Sequence, residues 1–364
     1  MVIKVGTSIL TGVDGLLNKK YISDLVANLI ELQKDKHEIL IVSSGAIGAG
    51  RARLHINVRP KTLREKQAFA AVGQPLVMNA YSNAFAKYGK SVAQILITRD
   101  DFDGRAKYIN IRNTLNALIG NNVTPIINEN DSVAIEEINF GDNDTLAALV
   151  AAAMDAEKLV IFTDVDGFYD GHSSNSSVIP RIEKITEEIE NLATSSSSSG
   201  KGTGGMKTKI IAAKIAVASG VDTIITNGLK LNLLKEIISG CQVGTIIKAK
   251  KRCLGAKKMW IAFSKKPKGT IFIDAKASEI VISKGKSLLA VGITKVNGIF
   301  KRGDTVNISD AETKKDFARG LTNYDSEDVE KIKGKKTSEM KKIIDVTDDV
   351  VIHRDNLVLL WQKN

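Results

Sequence analysis

A chain of 364 residues, 43% apolar and 26% charged, is long enough to hold more than one hydrophobic core. Its longest wholly apolar run, Leu146 to Met154, is far short of the roughly 20 residues that cross a bilayer, and the first strand-like run begins at Val2, leaving no room for a leader peptide ahead of it. A cytoplasmic protein without a membrane partner is therefore expected. Two cysteines, Cys241 and Cys253, show neither metal-ligand spacing nor a disulfide framework, which suits a reducing compartment. The net charge of +11 is uneven, with 22 Lys and Arg against 15 Asp and Glu in residues 255–364. Such a surplus suits nucleic acid or phosphate, and equally a solvated lysine-rich surface.

Short β-branched runs alternate with segments of helical period from Met1 to about residue 250. Strands are expected at Val2 to Val5, Glu38 to Ser43, Ser91 to Thr98, Val123 to Asn128, Lys158 to Thr163 and Thr223 to Thr226. Helices are expected around Ile22 to Ile30, Leu63 to Lys87, Ile109 to Ile119, Thr145 to Met154 and Met206 to Ser219, where apolar residues recur every three to four positions. Nearly continuous apolar strands such as Ile39-Leu40-Ile41-Val42 belong to a mainly parallel sheet covered by helices on both faces. Ligands of such α/β sheets gather at the carboxyl ends of the strands. Gly6-Thr7-Ser8, Ser43-Ser44-Gly45, Asn128-Glu129-Asn130-Asp131 and Thr163-Asp164 each follow a strand directly.

Thr194 to Gly205, with serines at 195 to 199, reads as a mobile loop. A lysine-rich stretch from Lys248 to Lys268 marks a domain boundary near residue 260, beyond which helical periodicity largely disappears. Strands are expected there at Thr270 to Ile273, Gly292 to Val296, Thr305 to Ile308 and Leu357 to Trp361, forming a small barrel-like or sandwich-like β domain.

Three groups of residues suggest chemistry. Gly202 to Lys209, Gly-Thr-Gly-Gly-Met-Lys-Thr-Lys, opens a helix. Its glycines admit close backbone approach to a phosphate and Lys209 adds a full charge, although the spacing is not that of a Walker A loop. Lys4, in an otherwise apolar strand, calls for an anionic ligand at the strand end. The acidic and amide tracts Asn128 to Ser132 and Gly141 to Asp144 offer acceptors for an ammonium group or a metal.

Together Val2 to Ser8, Val42 to Ile47, Ile127 to Asp131, Gly141-Asp142-Asn143-Asp144, Thr163-Asp164 and Gly202 to Lys209 resemble, in order and spacing, the glutamate 5-kinases of the amino-acid kinase family. The tract from Gly292 to Asp304 resembles a PUA domain. This resemblance implies a three-layer αβα sandwich on a mainly parallel sheet for residues 1–254, a linker at 255–268 and a β-rich PUA domain at 269–364. It also implies ATP-dependent phosphorylation of the glutamate side chain in proline biosynthesis. Lys4 and Lys209 match the lysines that neutralise the phosphoryl group in flight. Nucleotide-binding positions fall on Lys4, Thr163, Asp164, Thr203, Gly204, Gly205, Met206, Lys207, Thr208 and Lys209. Ser44, Asp131 and Asn143 match glutamate-binding positions, with Asp142 and Asp144 lining the same region.

A glutamate carboxylate, with a free pKa of about 4.3, is already nucleophilic at neutral pH, so the site needs cations and alignment rather than a base. Mg²⁺ is expected to be held mainly through the ATP phosphates, Asp164 is expected to orient the lysines, and Asp131 to receive the substrate ammonium. The resemblance further implies proline as a feedback inhibitor, a homo-oligomer (dimer or tetramer) and handover of the labile product to glutamyl-phosphate reductase. Other readings are another acid kinase of this fold, acting on N-acetylglutamate or carbamate, and an RNA-binding regulator working through the basic tail. Aromatic residues make up only 5% of the chain, which offers no clear stacking platform for RNA.

Overall fold

The computed structural model describes residues 1–12, 14–56, 58, 60–102, 105–134, 143–171, 176–195, 205–249, 261, 267–340, 342–344 and 348–360. The chain divides into two compact units, Met1–Cys253 and Leu254–Asn364. No described helix is long and apolar enough to cross a membrane.

In the first unit the elements are β1 (Val2–Val5), α1 (Thr7–Leu10), α2 (Lys19–Lys34), β2 (Leu40–Ser43), α3 (Ala46–Arg53), α4 (Leu63–Ala86), β3 (Val92–Ile97), α5 (Arg105–Gly120), β4 (Thr124–Glu129), α6 (Asn143–Ala153), β5 (Lys158–Thr163), β6 (Arg181–Ile182), α7 (Glu187–Ser195), α8 (Met206–Ala218), β7 (Asp222–Asn227), α9 (Leu233–Ile238) and β8 (Thr245–Ile247). The strands form one sheet in the order β3-β4-β2-β1-β5-β7-β8-β6. Every described pairing is parallel except β7 with β8. Register aligns the carboxyl ends, with Val5 opposite Ser43 and Phe162, and Thr163 opposite Asn227. The αβα layering expected from the apolar strands is present.

Alternation along β1 sends Lys4 to one face of the sheet and Ile3 and Val5 to the other. Ile3 and Val5 join Leu25, Leu29, Ile41, Tyr81 and Phe85 in the core beneath α2 and α4. On Lys4's face lies α6, packed against β1 and α8. Its run Leu146 to Ala153 is wholly buried and mostly alanine, which lets backbones approach more closely than leucine would. The acidic first turn of α6 is thereby carried over the end of β1.

Helices α3 and α4 pack backbone against backbone, and glycine is the reason. A Cβ on Gly50 would lie 1.8 Å from the Phe69 carbonyl oxygen, and one on Gly73 would lie 1.9 Å from the Ala46 carbonyl oxygen. The obstructing atoms are backbone, so no side-chain rotation relieves the clash. Helix α4 begins at a reciprocal cap: the Thr62 hydroxyl accepts from the Glu65 amide, and the Glu65 carboxylate accepts from the Thr62 amide.

Several elements differ from expectation. Helix α3 holds two glycines and two arginines among its eight residues, and β6 and β8 are two and three residues long, so none has a readable period. Thr194 and Ser195, assigned to the loop 194–205, close α7, and residues 196–204 of that loop lie outside the described residues. The linker 255–268 also falls almost wholly outside them.

The second unit contains a five-stranded sheet, β10-β9-β11-β12-β13, from β9 (Gly269–Ile273), β10 (Ile293–Gly298), β11 (Thr305–Asp310), β12 (Asp316–Leu321) and β13 (Leu357–Leu359). Among the described pairings of this sheet, β9 with β11 is parallel and the others are antiparallel. Ile271, Ile273, Phe300, Val306, Ile308 and Ile352 fill its core. Contrary to the expectation that helical period fades here, helices span Ala275–Lys284, Ser326–Ile332 and Thr337–Met340. The first is delimited locally, by Asp274 accepting from the Ala277 amide and by Gly285 in the left-handed region.

Gly73→Ala should drive α3 and α4 apart and lower stability by about 1–3 kcal/mol or more, measured as a fall in unfolding midpoint. An unchanged midpoint would contradict the backbone contact.

Candidate active site

Asp144, in the first turn of α6, has no exposed surface, and Lys4 and Lys209 are each only 5% exposed. The Lys4 ammonium lies 2.5 Å from Asp144 Oδ1 and that of Lys209 lies 3.4 Å from Oδ2. Two cations from distant parts of the chain, one on β1 and one on α8, thus converge on a single carboxylate. The Thr208 hydroxyl is 3.0 Å from the same Oδ2 and 2.7 Å from the Gly205 carbonyl oxygen, sharing one proton between two acceptors. Burial alone would raise the Asp144 carboxyl; the charges of Lys4 and Lys209, with their hydrogen bonds, instead hold it well below the usual carboxylate range. A carboxylate at the amino end of a helix is also favoured by the helix dipole.

This placement revises two expectations. Asp144, assigned to the glutamate-lining group, is buried between the lysines. Asp164, assigned to orient them, is exposed and accepts from the Thr163 hydroxyl at 3.1 Å, and among the described residues it makes no ion pair with either lysine. The carboxylate that pairs with both lysines is Asp144. Thr163 is buried at the end of β5. Gly205 precedes α8, Met206 and Thr208 are half-buried in its first turn, and Lys207 is exposed. Asp142, Thr203 and Gly204 lie outside the described residues.

A second cluster occupies the ends of β2 and β4. The Asn143 amide donates to the Ser44 hydroxyl at 2.8 Å and to the Asn128 side-chain oxygen at 2.9 Å. Asn128 in turn donates to the Gln74 side-chain oxygen at 2.8 Å, and Gln74 donates to Gln94 at 3.0 Å. The Ser43 hydroxyl donates to the Tyr81 oxygen at 3.1 Å, and burial pushes the Tyr81 phenol up to about 12. Gly45, at φ 99°, turns the chain out of β2 into α3, a left-handed geometry suited to glycine. Asp131 stands in the turn after β4, where Gln67 of α4 ties down the Ala134 carbonyl oxygen at 3.1 Å. Burial pushes the Asp131 carboxyl up to about 6.

The two clusters meet in consecutive residues, Asn143 facing the amides and Asp144 the lysines. Asn128 and Ser43 lie in strand-end tracts that the sequence singled out, without a role of their own, whereas Gln74 and Tyr81 were not foreseen. For Gln74 a signal exists in the sequence: it shares a helical face with Ala70, Val77 and Tyr81, where a polar side chain must find a partner. Among the described residues no group of three or more His, Cys, Asp or Glu gathers as a metal cage, and the one fully buried carboxylate is already engaged by two lysines.

The profile of the Amino acid kinase family matches residues 1–227, and that of the PUA domain matches residues 269–344. A glutamate 5-kinase of Thermoanaerobacter sp. (strain X514) is 46% identical over 99% of this chain and 97% of its own length. One of Pelobacter propionicus is 43% identical with the same coverage. The structure of carbamate kinase from Giardia lamblia bound to AMP-PNP superposes with a TM-score of 0.50, covering 68% of this chain and 98% of that one at 18% identity, a likeness of fold.

Asp144→Asn would remove the carboxylate that pairs with two buried ammonium groups and should cost about 3–5 kcal/mol at neutral pH. Because the folded carboxyl lies below its ordinary value of 3.8, this stability is present above pH about 4 and is lost as pH falls through the folded value. Denaturation of both proteins should therefore show a gap that narrows below pH 4; a gap independent of pH would contradict the pairing. By its sequence the chain belongs to the glutamate 5-kinases of the amino-acid kinase family.

Proposed function

We propose that the protein transfers the γ-phosphoryl group of ATP to the side-chain carboxylate of L-glutamate, giving L-glutamyl 5-phosphate and ADP, the first step of proline biosynthesis. The observation that carries this reading is the convergence of Lys4 and Lys209 on Asp144. Phosphoryl transfer between two anions asks for cations fixed at the point of transfer, not for a base. A carboxylate oxygen attacks Pγ, the bond from Pγ to the β,γ-bridging oxygen breaks, and ADP leaves with its electron pair. Lys4 and Lys209 are assigned to opposite sides of the transferring group, held apart and aimed by Asp144. Mg²⁺ enters as part of the nucleotide substrate, coordinated by phosphate oxygens, and supplies further charge neutralisation there. Thr163, Asp164 and the turn from Thr203 to Lys209 are assigned to the nucleotide.

Ser44, Asn143 and Asp131 are assigned to glutamate. The Ser44 hydroxyl accepts from Asn143 and so has its own proton free to donate to a carboxylate. Asp131 is suited to the α-ammonium group: its raised pKa means that an ionised carboxylate is disfavoured in the free protein, and a bound cation relieves that penalty. This favours glutamate over N-acetylglutamate or carbamate, which carry no ammonium group.

Steady-state assays with MgATP and glutamate, N-acetylglutamate, aspartate or carbamate test the reading. Turnover should be selective for glutamate, and Lys209→Ala should lower kcat by about 10²-fold or more with a smaller change in KM. Preference for N-acetylglutamate or carbamate would overturn it. The KM for glutamate should rise as pH falls through about 6, because protonation removes the charge that the ammonium needs, and Asp131→Asn should abolish this rise.

A further inference from the structure

The amide cluster has a direction, and one backbone group sets it. The Glu129 amide N–H lies 2.9 Å from the Asn128 side chain, and a backbone N–H can only donate, so the atom facing it is the Asn128 oxygen. That same oxygen faces Asn143 at 2.9 Å, which must therefore present its NH₂. The Asn143 NH₂ also donates to Ser44, and the Asn143 oxygen is turned away, buried and without a hydrogen-bond partner among the described residues. At the other end, the Asn128 NH₂ needs an acceptor in a place where Asn128 is only 2% exposed, and the Gln74 oxygen supplies it at 2.8 Å.

We infer that Gln74 is a positioning residue for amino-acid recognition, one that touches no substrate itself but, by accepting from Asn128, holds that side chain where it fixes the Asn143 amide and, through it, the Ser44 hydroxyl. The inference rests on the assignment of Asn143 and Ser44 to glutamate. Without the Gln74 acceptor, the buried Asn128 NH₂ loses its partner, while the Glu129 N–H still opposes a flip of the side chain. Asn128 is then displaced toward another acceptor or water, and the Asn143 amide and the Ser44 hydroxyl bonded to it lose their alignment. Gln94, exposed at the outer end, accepts from Gln74 but is separated from Asn128 by it. The placement of Gln74 depends on the α3–α4 contact, since Gly73 precedes it and is pressed against α3.

The test compares full-length wild type, Gln74→Met and Gln74→Glu in steady-state kinetics, with Gln74→Leu replacing the Met variant should that not fold. Met keeps the length of glutamine without an acceptor of comparable strength, and Glu keeps the oxygen facing Asn128. Gln74→Met should raise the glutamate KM about tenfold, consistent with the loss of one buried hydrogen-bond partner, while kcat and the KM for MgATP stay within about twofold. Gln74→Glu should return the glutamate KM to within about threefold of wild type. A Met variant with unaltered glutamate KM overturns the inference, as does equal impairment of the Met and Glu variants or a matching loss in kcat and in MgATP affinity. Wild type that does not phosphorylate glutamate overturns the functional reading and this inference with it; active wild type with an unmoved KM in the Met variant overturns this inference alone.

Discussion

One buried carboxylate organises the kinase unit. Lys4 and Lys209 carry like charges into a place almost without solvent, and alone they would repel each other and lose hydration with no return. Asp144 between them converts that cost into a fixed geometry, because each ammonium has one oxygen to face. Removing charges from water costs several kcal/mol per ion unless the partners are well aligned. The arrangement is therefore better understood as a device for position than as a source of stability. A transferring phosphoryl group needs cations already aimed when charge develops, with little left to reorganise.

The surrounding fold serves that carboxylate. Strand alternation turns Lys4 away from the core under α2 and α4, and the alanines of α6 let its first turn reach both β1 and α8. On the neighbouring strand ends, the glycine contact between α3 and α4 sets Gln74 beside Asn128 and holds the turn that carries Ser44. Asn143 and Asp144 are adjacent in sequence yet belong to different clusters. The start of α6 thus couples the amide end of the site to the cationic end.

Much of this was readable from residues alone, and the rest was not for identifiable reasons. A lysine inside Val2-Ile3-Lys4-Val5 contradicts the apolar demands of a central strand, which made Lys4 visible as a site residue. The six longer strands were readable because β-branched runs bounded by polar turns have few other homes. Asp144 was found but misplaced: one acid within a tract of Asp and Asn carries no mark of which will be buried, and its position depends on how closely an alanine helix approaches the sheet. Asp164 was expected to orient the lysines, yet its side chain is exposed and accepts from Thr163. Gln74 lies outside every glycine-rich or acidic tract, and only its place on a buried helical face points to it. In the second unit the helix Ala275–Lys284 was overlooked because its alternation of lysine, serine and aliphatic residues is weak, although Asp274 and Gly285 supply both of its ends.

The most direct test of the central claim is a crystal structure with MgAMP-PNP and L-glutamate. Both the Lys4 and Lys209 nitrogens should lie within hydrogen-bond distance of γ-phosphate oxygens while still facing the two oxygens of Asp144, with the glutamate side-chain carboxylate in line with the bond to the bridging group. Lysines contacting different ligands, or a γ-phosphate bound away from both, would contradict it.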